Sequence, residues 1–200
     1  LNSNQGDTFH FRGHCYEYFH HSYNTTRSTE RAVEIPIVSE VVKTYRGKRV
    51  LEVGNVLSHY FEVAHTVLDK YEQAPGVINL DVVEFKPLAP FDLIISISTL
   101  EHIGWDEQPR QPDKILLAMN ILTGCLAVGG KMIVTLPLGY NTNMDRLLAG
   151  NTLRFDECYG MKRISATDWV QVNWAEALGS RYGTPFPYAN GIIIGIVCYK

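Results

Sequence analysis

The stretch Val50–Phe61, VLEVGNVLSHYF, decides how this chain is read. Val50, Leu51 and Val53 surround one acid, Glu52, and the apolar run stops at Gly54. Such a run ended by glycine reads as a buried strand entering a tight turn, where a residue without Cβ lets a ligand approach the backbone. A dinucleotide loop would continue as GxGxxG. Here the later positions hold Val56 and His59, so that site is excluded.

On the N-terminal side, Ser28–Lys48 (STERAVEIPIVSEVVKTYRGK) carries Ile37, Val38, Val41, Val42 and Tyr45 at helical spacing. Ser28 or Thr29 caps this helix, Pro36 bends or restarts it, and Gly47 ends it. Residues 1–30 form an irregular or partly helical arm rich in aromatics and histidine. Its His10, His14, His20 and His21, with Tyr16, Tyr18 and Tyr23, either close over a polar acceptor or pack against the sheet. These histidines lack an acid at ligand spacing, so no metal site is expected.

On the C-terminal side, short apolar strands alternate with connections. Arg49–Gly54, His65–Asp69, Val77–Val83, Phe91–Ser98 and Gly129–Gly139 are five strands, and Pro112–Leu126 is a helix between the last two. This rhythm predicts right-handed crossovers and an α/β fold: a Rossmann-like, mostly parallel sheet with helices on both faces. After Gly139, Arg154–Ser165 and Asp168–Trp174 alternate as strands, Trp174–Gly183 is a short helix, and Asn190–Lys200 is a final strand. Two antiparallel strands closing a parallel sheet fit this tail. Without repeats or linkers, residues 1–200 read as one domain.

Composition narrows the function classes. The chain has 200 residues, 46% of them hydrophobic and 20% charged, with a formal net charge of −3. No basic run supports binding to a nucleic-acid backbone. No apolar segment reaches the ~20 residues needed to cross a bilayer, and no signal peptide is visible, so the expected location is cytoplasmic. Cys15, Cys125, Cys158 and Cys198 are far apart and read as reduced, mostly buried thiols rather than a zinc cage. Arg27, Arg31 and the run Lys162–Ser165 read as solvated charges.

In an open α/β sheet, ligands bind at the carboxyl ends of the strands near the point where strand order reverses. Glu52, Asp69 and Asp81 stand in or just after the first three strands. The order of these acids, VLEVG, FDLIISISTLEHIGW (Phe91–Trp105) and LAVGGKMIVTLPLG (Leu126–Gly139) together resemble the class I S-adenosylmethionine-dependent methyltransferases over about half the chain. The resemblance implies S-adenosylmethionine as cofactor. Glu52, Gly54 and Asn55 would then lie by its methionine part, Asp69 by the ribose, Asp81 and Val82 by the adenine, and Ser96 and Ser98 on the pocket floor.

It also implies a transferase acting on a small-molecule or sugar-type acceptor, with O-methylation expected. His102, just beyond the fourth strand, is the candidate general base. Glu101, Trp105 and Asp106 share its loop, and Tyr182–Gly191 offers a further wall. The departure from the family lies in the first loop, where Val56 and Ser58 stand in place of the second and third glycines of Gly-x-Gly-x-Gly and the interval from Gly54 to Asp69 is short. Bulk from Val56 and Leu57 in the methionine channel would make the chain a catalytically inactive binding or assembly module instead.

Overall fold

A computed structural model describes residues 7–200. The first six residues of the predicted arm lie outside the described residues. The centre is an eight-stranded sheet. Five parallel strands come from β3 (Val50–Val53), β4 (Thr66–Leu68), β5 (Val77–Ile78), β6 (Phe91–Ile97) and β7 (Leu126–Pro137). Beyond β7 lies β10 (Gly191–Cys198), antiparallel to it, then β8 (Glu157–Arg163) and β9 (Trp169–Val172), so the order is β5-β4-β3-β6-β7-β10-β8-β9. The chain runs outward from β3 to β5 and returns to place β6 on the other side of β3. That reversal puts the ligand-binding edge beside Gly54.

Both faces of the sheet are covered, as expected. Helix α2 (Lys114–Gly124) buries Ile115, Ala118, Met119 and Leu122 on one face, joined by α3 (Thr142–Ala149) through Met144, Leu147 and Leu148. Helix α1 (Arg31–Thr44) buries Ala32, Val33, Ile35, Ile37 and Val38 on the other. Each large apolar side chain so buried stabilises the fold by about 1.5–3 kcal/mol. Helix α4 (Trp174–Ala177) packs against β8 and β10.

Pro36 lies within α1 and removes the N–H that would bond to the carbonyl of Ala32. That carbonyl accepts from Phe19 N instead, at 2.9 Å. The proline therefore leaves the helix intact and supplies an attachment point for the N-terminal segment. That segment is more regular than expected. It is a hairpin of β1 (Thr8–Phe11) and β2 (His14–Glu17), followed by a 3₁₀ turn over Tyr23–Ser28. Phe9, Phe11 and Tyr18 are buried against the sheet, and Tyr18 Oη accepts from Trp169 N at 2.7 Å.

Other differences have local causes. The third strand shrinks to two residues because Asp81 caps a 3₁₀ turn at Val82–Glu84, accepting from Val83 N at 3.2 Å. Helix α3 went unpredicted; its cap is Asn141, whose side chain accepts from Met144 N. Arg163, expected in solvent, is buried, and Arg31 is only partly exposed. Arg31 Nη1 pairs with Glu34 at 2.8 Å, and Arg163 donates to the carbonyls of Pro187 and Ser28. No helix of the described residues is long and apolar enough to cross a membrane.

Candidate functional site

A cavity of about 500 Å³ opens over Gly54 at the carboxyl ends of β3, β4 and β6. Its size falls within the usual range for small-molecule sites, roughly 300–1,000 Å³. The wall is apolar at Val53, Leu68, Leu80, Val82 and Ile103, and polar at Asn55, Asp69, Glu72, Asp81, His102 and Asp106. Gly54 has φ +89°, and a Cβ there would stand 2.2–2.8 Å from the Thr99 side chain. Glycine is therefore required both by backbone conformation and by the approach of Thr99.

The loop after Gly54 answers the question of bulk. No α-helix forms; the chain makes one 3₁₀ turn at Leu57–His59. Leu57 is 3% exposed and belongs to the core on the α1 face, so its bulk leaves the cavity. Val56 does line the wall. His59 turns to Glu72, at 3.0 Å, and stacks on Tyr23 with ring centroids 4.4 Å apart.

Glu52 organises this turn rather than the cavity. It is fully buried; Oε1 accepts from Val56 N at 3.0 Å and Leu57 N at 2.8 Å, and Oε2 meets His65 Nε2 at 2.7 Å. With no helix to absorb them, these loop N–H groups need an acceptor, and Glu52 supplies it. Glu52 is accordingly outside the cavity lining. So are Ser96, whose hydroxyl donates to Val53 O, and Ser98, whose hydroxyl donates to Glu34 Oε1. Gly54, Asn55, Asp69, Asp81, Val82 and His102 do come together around it.

The two acids at the strand ends are partly engaged by the chain itself. Asp69 Oδ1 accepts from Tyr71 N and Glu72 N, both at 2.8 Å, and Oδ2 from Asn55 N at 3.0 Å. A carboxylate offers about four acceptor positions, so Asp69 keeps one. Asp81 is bound by Lys114 Nζ at 2.5 Å and Lys70 Nζ at 2.9 Å. Burial alone would raise its carboxyl, but these hydrogen bonds, Lys114 first, hold it at about 2. Glu107 closes the same network, with Lys114 at 2.7 Å and Lys70 at 3.1 Å.

Glu72, Lys70 and Glu107 line the cavity without having been found in the sequence. Glu72 follows Asp69 by one helical turn's spacing, a signal available in principle. The clamp between Lys70 and Glu107 joins residues far apart in the chain and leaves no local pattern.

At the other end of the cavity, His102 sits in a 3₁₀ turn at Leu100–His102. Its Nδ1 is 2.5 Å from Asp106 Oδ2, which also accepts from Tyr140 Oη at 2.7 Å. Burial would raise the Asp106 carboxyl, yet hydrogen bonds from Tyr140 and His102 hold it below its ordinary value. The turn is entered through Ser98 at φ +38°, a strained conformation for a residue with a side chain. Asn141 ties it down by donating to Glu101 O at 2.8 Å. A histidine set between a carboxylate and a cavity can accept a proton from a bound group.

The sheet is Rossmann-like and mostly parallel. Solved structures similar to the chain include the N-methyltransferase NodS from Bradyrhizobium japonicum in complex with S-adenosyl-L-homocysteine, at 13% identity and TM-score 0.48 over 80% of this chain and 84% of that one. The sugar N-methyltransferase KedS8 from Streptoalloteichus sp. is 14% identical, with TM-score 0.43 over 98% and 99%. An rRNA methylase from Streptococcus thermophilus is 9% identical, with TM-score 0.46 over 84% and 97%. At these identities the likeness is one of fold. No protein-family model matches the sequence, and no curated protein matches it.

Proposed function

We propose that the cavity over Gly54 binds S-adenosylmethionine and that the protein, in the cytoplasm, methylates an oxygen of a small-molecule or sugar-type acceptor. The observation that carries this reading is the open space over Gly54, from which Leu57 is withdrawn into the core. The lining fits the cofactor. Asp69 keeps one acceptor position for a ribose hydroxyl, and Glu72 stands beside it. Leu68, Leu80, Val82 and Ile103 offer an apolar slot to adenine, and Gly54 with Asn55 would face the methionine end.

When bound, the cofactor supplies an electrophilic methyl group. The chain's part is to hold the acceptor in line and to take its proton, and alignment supplies much of the rate in such displacements. His102, with Nδ1 held by Asp106, makes no hydrogen bond at Nε2, which lies 3.4 Å from Glu101 Oε1 and would accept that proton.

A second reading, a binding or assembly module without catalysis, is favoured by one observation: Asp81 is already bound by two lysines. Calorimetry with S-adenosylhomocysteine separates the two, since absence of binding to the folded protein removes the cofactor from the first. Where binding is measured, Asp69→Asn is expected to weaken it by ~1.5–3 kcal/mol, the scale of a charge-assisted hydrogen bond. Unchanged affinity would move the ribose acid to Glu72.

A further inference from the structure

We propose that the cavity over Gly54 recognises a vicinal diol with two carboxylates, Asp69 and Glu72, one for each hydroxyl, and that the loop 55–59 is built to set them side by side. This rests on the reading of the cavity as the methyl-donor site, and it adds the residues that decide specificity for the ribose.

Asp69, Glu72 and Asn55 all line the cavity. Asn55 bridges the two acids: its backbone N–H donates to Asp69 Oδ2 at 3.0 Å, and its side-chain Nδ2 donates to Glu72 Oε1 at 2.6 Å. Ser58 Oγ donates to Asn55 Oδ1 at 2.5 Å, which fixes the amide with its nitrogen toward Glu72. His59 Nε2 lies 3.0 Å from Glu72 Oε1 and 3.2 Å from Oε2. A carboxylate only accepts, so this nitrogen carries the proton. Tyr23, stacked on the His59 ring, holds the imidazole in place from the N-terminal segment.

The division of labour follows from counting acceptors. A carboxylate offers about four positions. At Asp69 three are taken, by the backbone N–H groups of Asn55, Tyr71 and Glu72. Asp69 therefore serves one hydroxyl and cannot serve both of a vicinal pair. Glu72 accepts from two protein donors, Asn55 and His59, and keeps about two positions open. Its side chain is 38% exposed, so those positions are reachable. A sugar lacking one hydroxyl would leave one of these acids without its donor, and sites built to bind a hydroxyl reject the analogue without it. The unusual loop thus has a role. Through Asn55 N it takes a position from Asp69, and through the Asn55 amide and His59 it restores one at Glu72. Ser58, at the third glycine position of the family pattern, orients that amide.

The test is calorimetry on the full chain with S-adenosylhomocysteine and its 2′-deoxy and 3′-deoxy analogues, and in parallel with adenosine and its two deoxy forms. The wild-type protein should bind each deoxy analogue about 10–100-fold more weakly than its parent. Glu72→Gln, which keeps an oxygen for Asn55 and so keeps the fold, should weaken S-adenosylhomocysteine about tenfold. It should add no loss on one of the two deoxy analogues, the one that lacks the hydroxyl held by Glu72. Asp69→Asn should show the same non-additivity with the other analogue. Ser58→Ala releases the Asn55 amide and should weaken the diol ligands about 2–10-fold, sparing the analogue that Glu72→Gln spares; a merely structural role would weaken all three alike. Deoxy analogues that bind like their parents, Glu72→Gln at wild-type affinity, or both acid variants non-additive with the same analogue would each overturn the proposal. If S-adenosylhomocysteine does not bind but adenosine shows the diol preference, the methyl-donor reading falls and the two-acid site stands. If neither ligand binds, both fall.

Discussion

Replacing Glu52 by alanine is expected to lower the unfolding free energy by about 3–5 kcal/mol, the scale of leaving several buried hydrogen-bonding groups without a partner. Three groups lose their partner at once: Val56 N, Leu57 N and the nearly buried His65 ring. The two N–H groups belong to the segment that shapes the mouth of the cavity over Gly54. S-adenosylhomocysteine affinity should therefore fall together with stability, although Glu52 does not line that cavity. Glu52→Gln separates the contributions. Its amide oxygen still accepts from Val56 and Leu57, so the loop keeps its form and the loss should be nearer ~1 kcal/mol. Urea denaturation of both variants, with calorimetry on the folded protein, makes the measurement. An alanine variant within ~1 kcal/mol of wild type would mean that another group holds this turn.

Glu52 also marks the boundary of what the sequence could reveal. The strands were legible because continuous apolar runs such as Phe91–Ile97 have one common explanation, burial on both faces. Gly54, Asp69 and Asp81 fell at or just after the strand ends where a ligand edge forms.

Direction of side chains was not legible. Glu52 and Asp69 each carry backbone N–H groups of a loop that lacks its helix, and nothing in a linear pattern states which donors a carboxylate will serve. Ser96 and Ser98 point into the sheet and toward α1 for the same reason. The charge networks were the least visible part. Lys114 reaches Asp81 across 33 positions, and Ser98 reaches Glu34 across 64. Arg31 looked like an ordinary helix-surface charge because one of the glutamates whose charge acts on it, Glu101, is supplied by the turn after β6.

The loss of the His102 imidazole is expected to reduce the rate of methyl transfer to an oxygen acceptor by about 10²–10⁴-fold, the usual contribution of a positioned general base. The side chain is about half exposed at the edge of the cavity, so His102→Ala removes no core packing, and the fold should survive. Donor affinity should change little, because Leu68, Leu80, Val82 and Asp69 lie on other elements. The loss should therefore appear in kcat rather than in binding of S-adenosylhomocysteine.

Asp106→Asn provides the graded case. It keeps the side-chain shape beside His102 and Tyr140 but removes the negative charge that stabilises the protonated imidazole, so a smaller loss, roughly tenfold, is expected. Single-turnover assays across pH distinguish a base from a residue that merely shapes the pocket. In the wild-type protein the rate should fall on acidification, as a base must when it is protonated, and in His102→Ala that dependence should disappear with the rate. A variant as slow as expected but with the acid dependence intact would assign the proton transfer to another group.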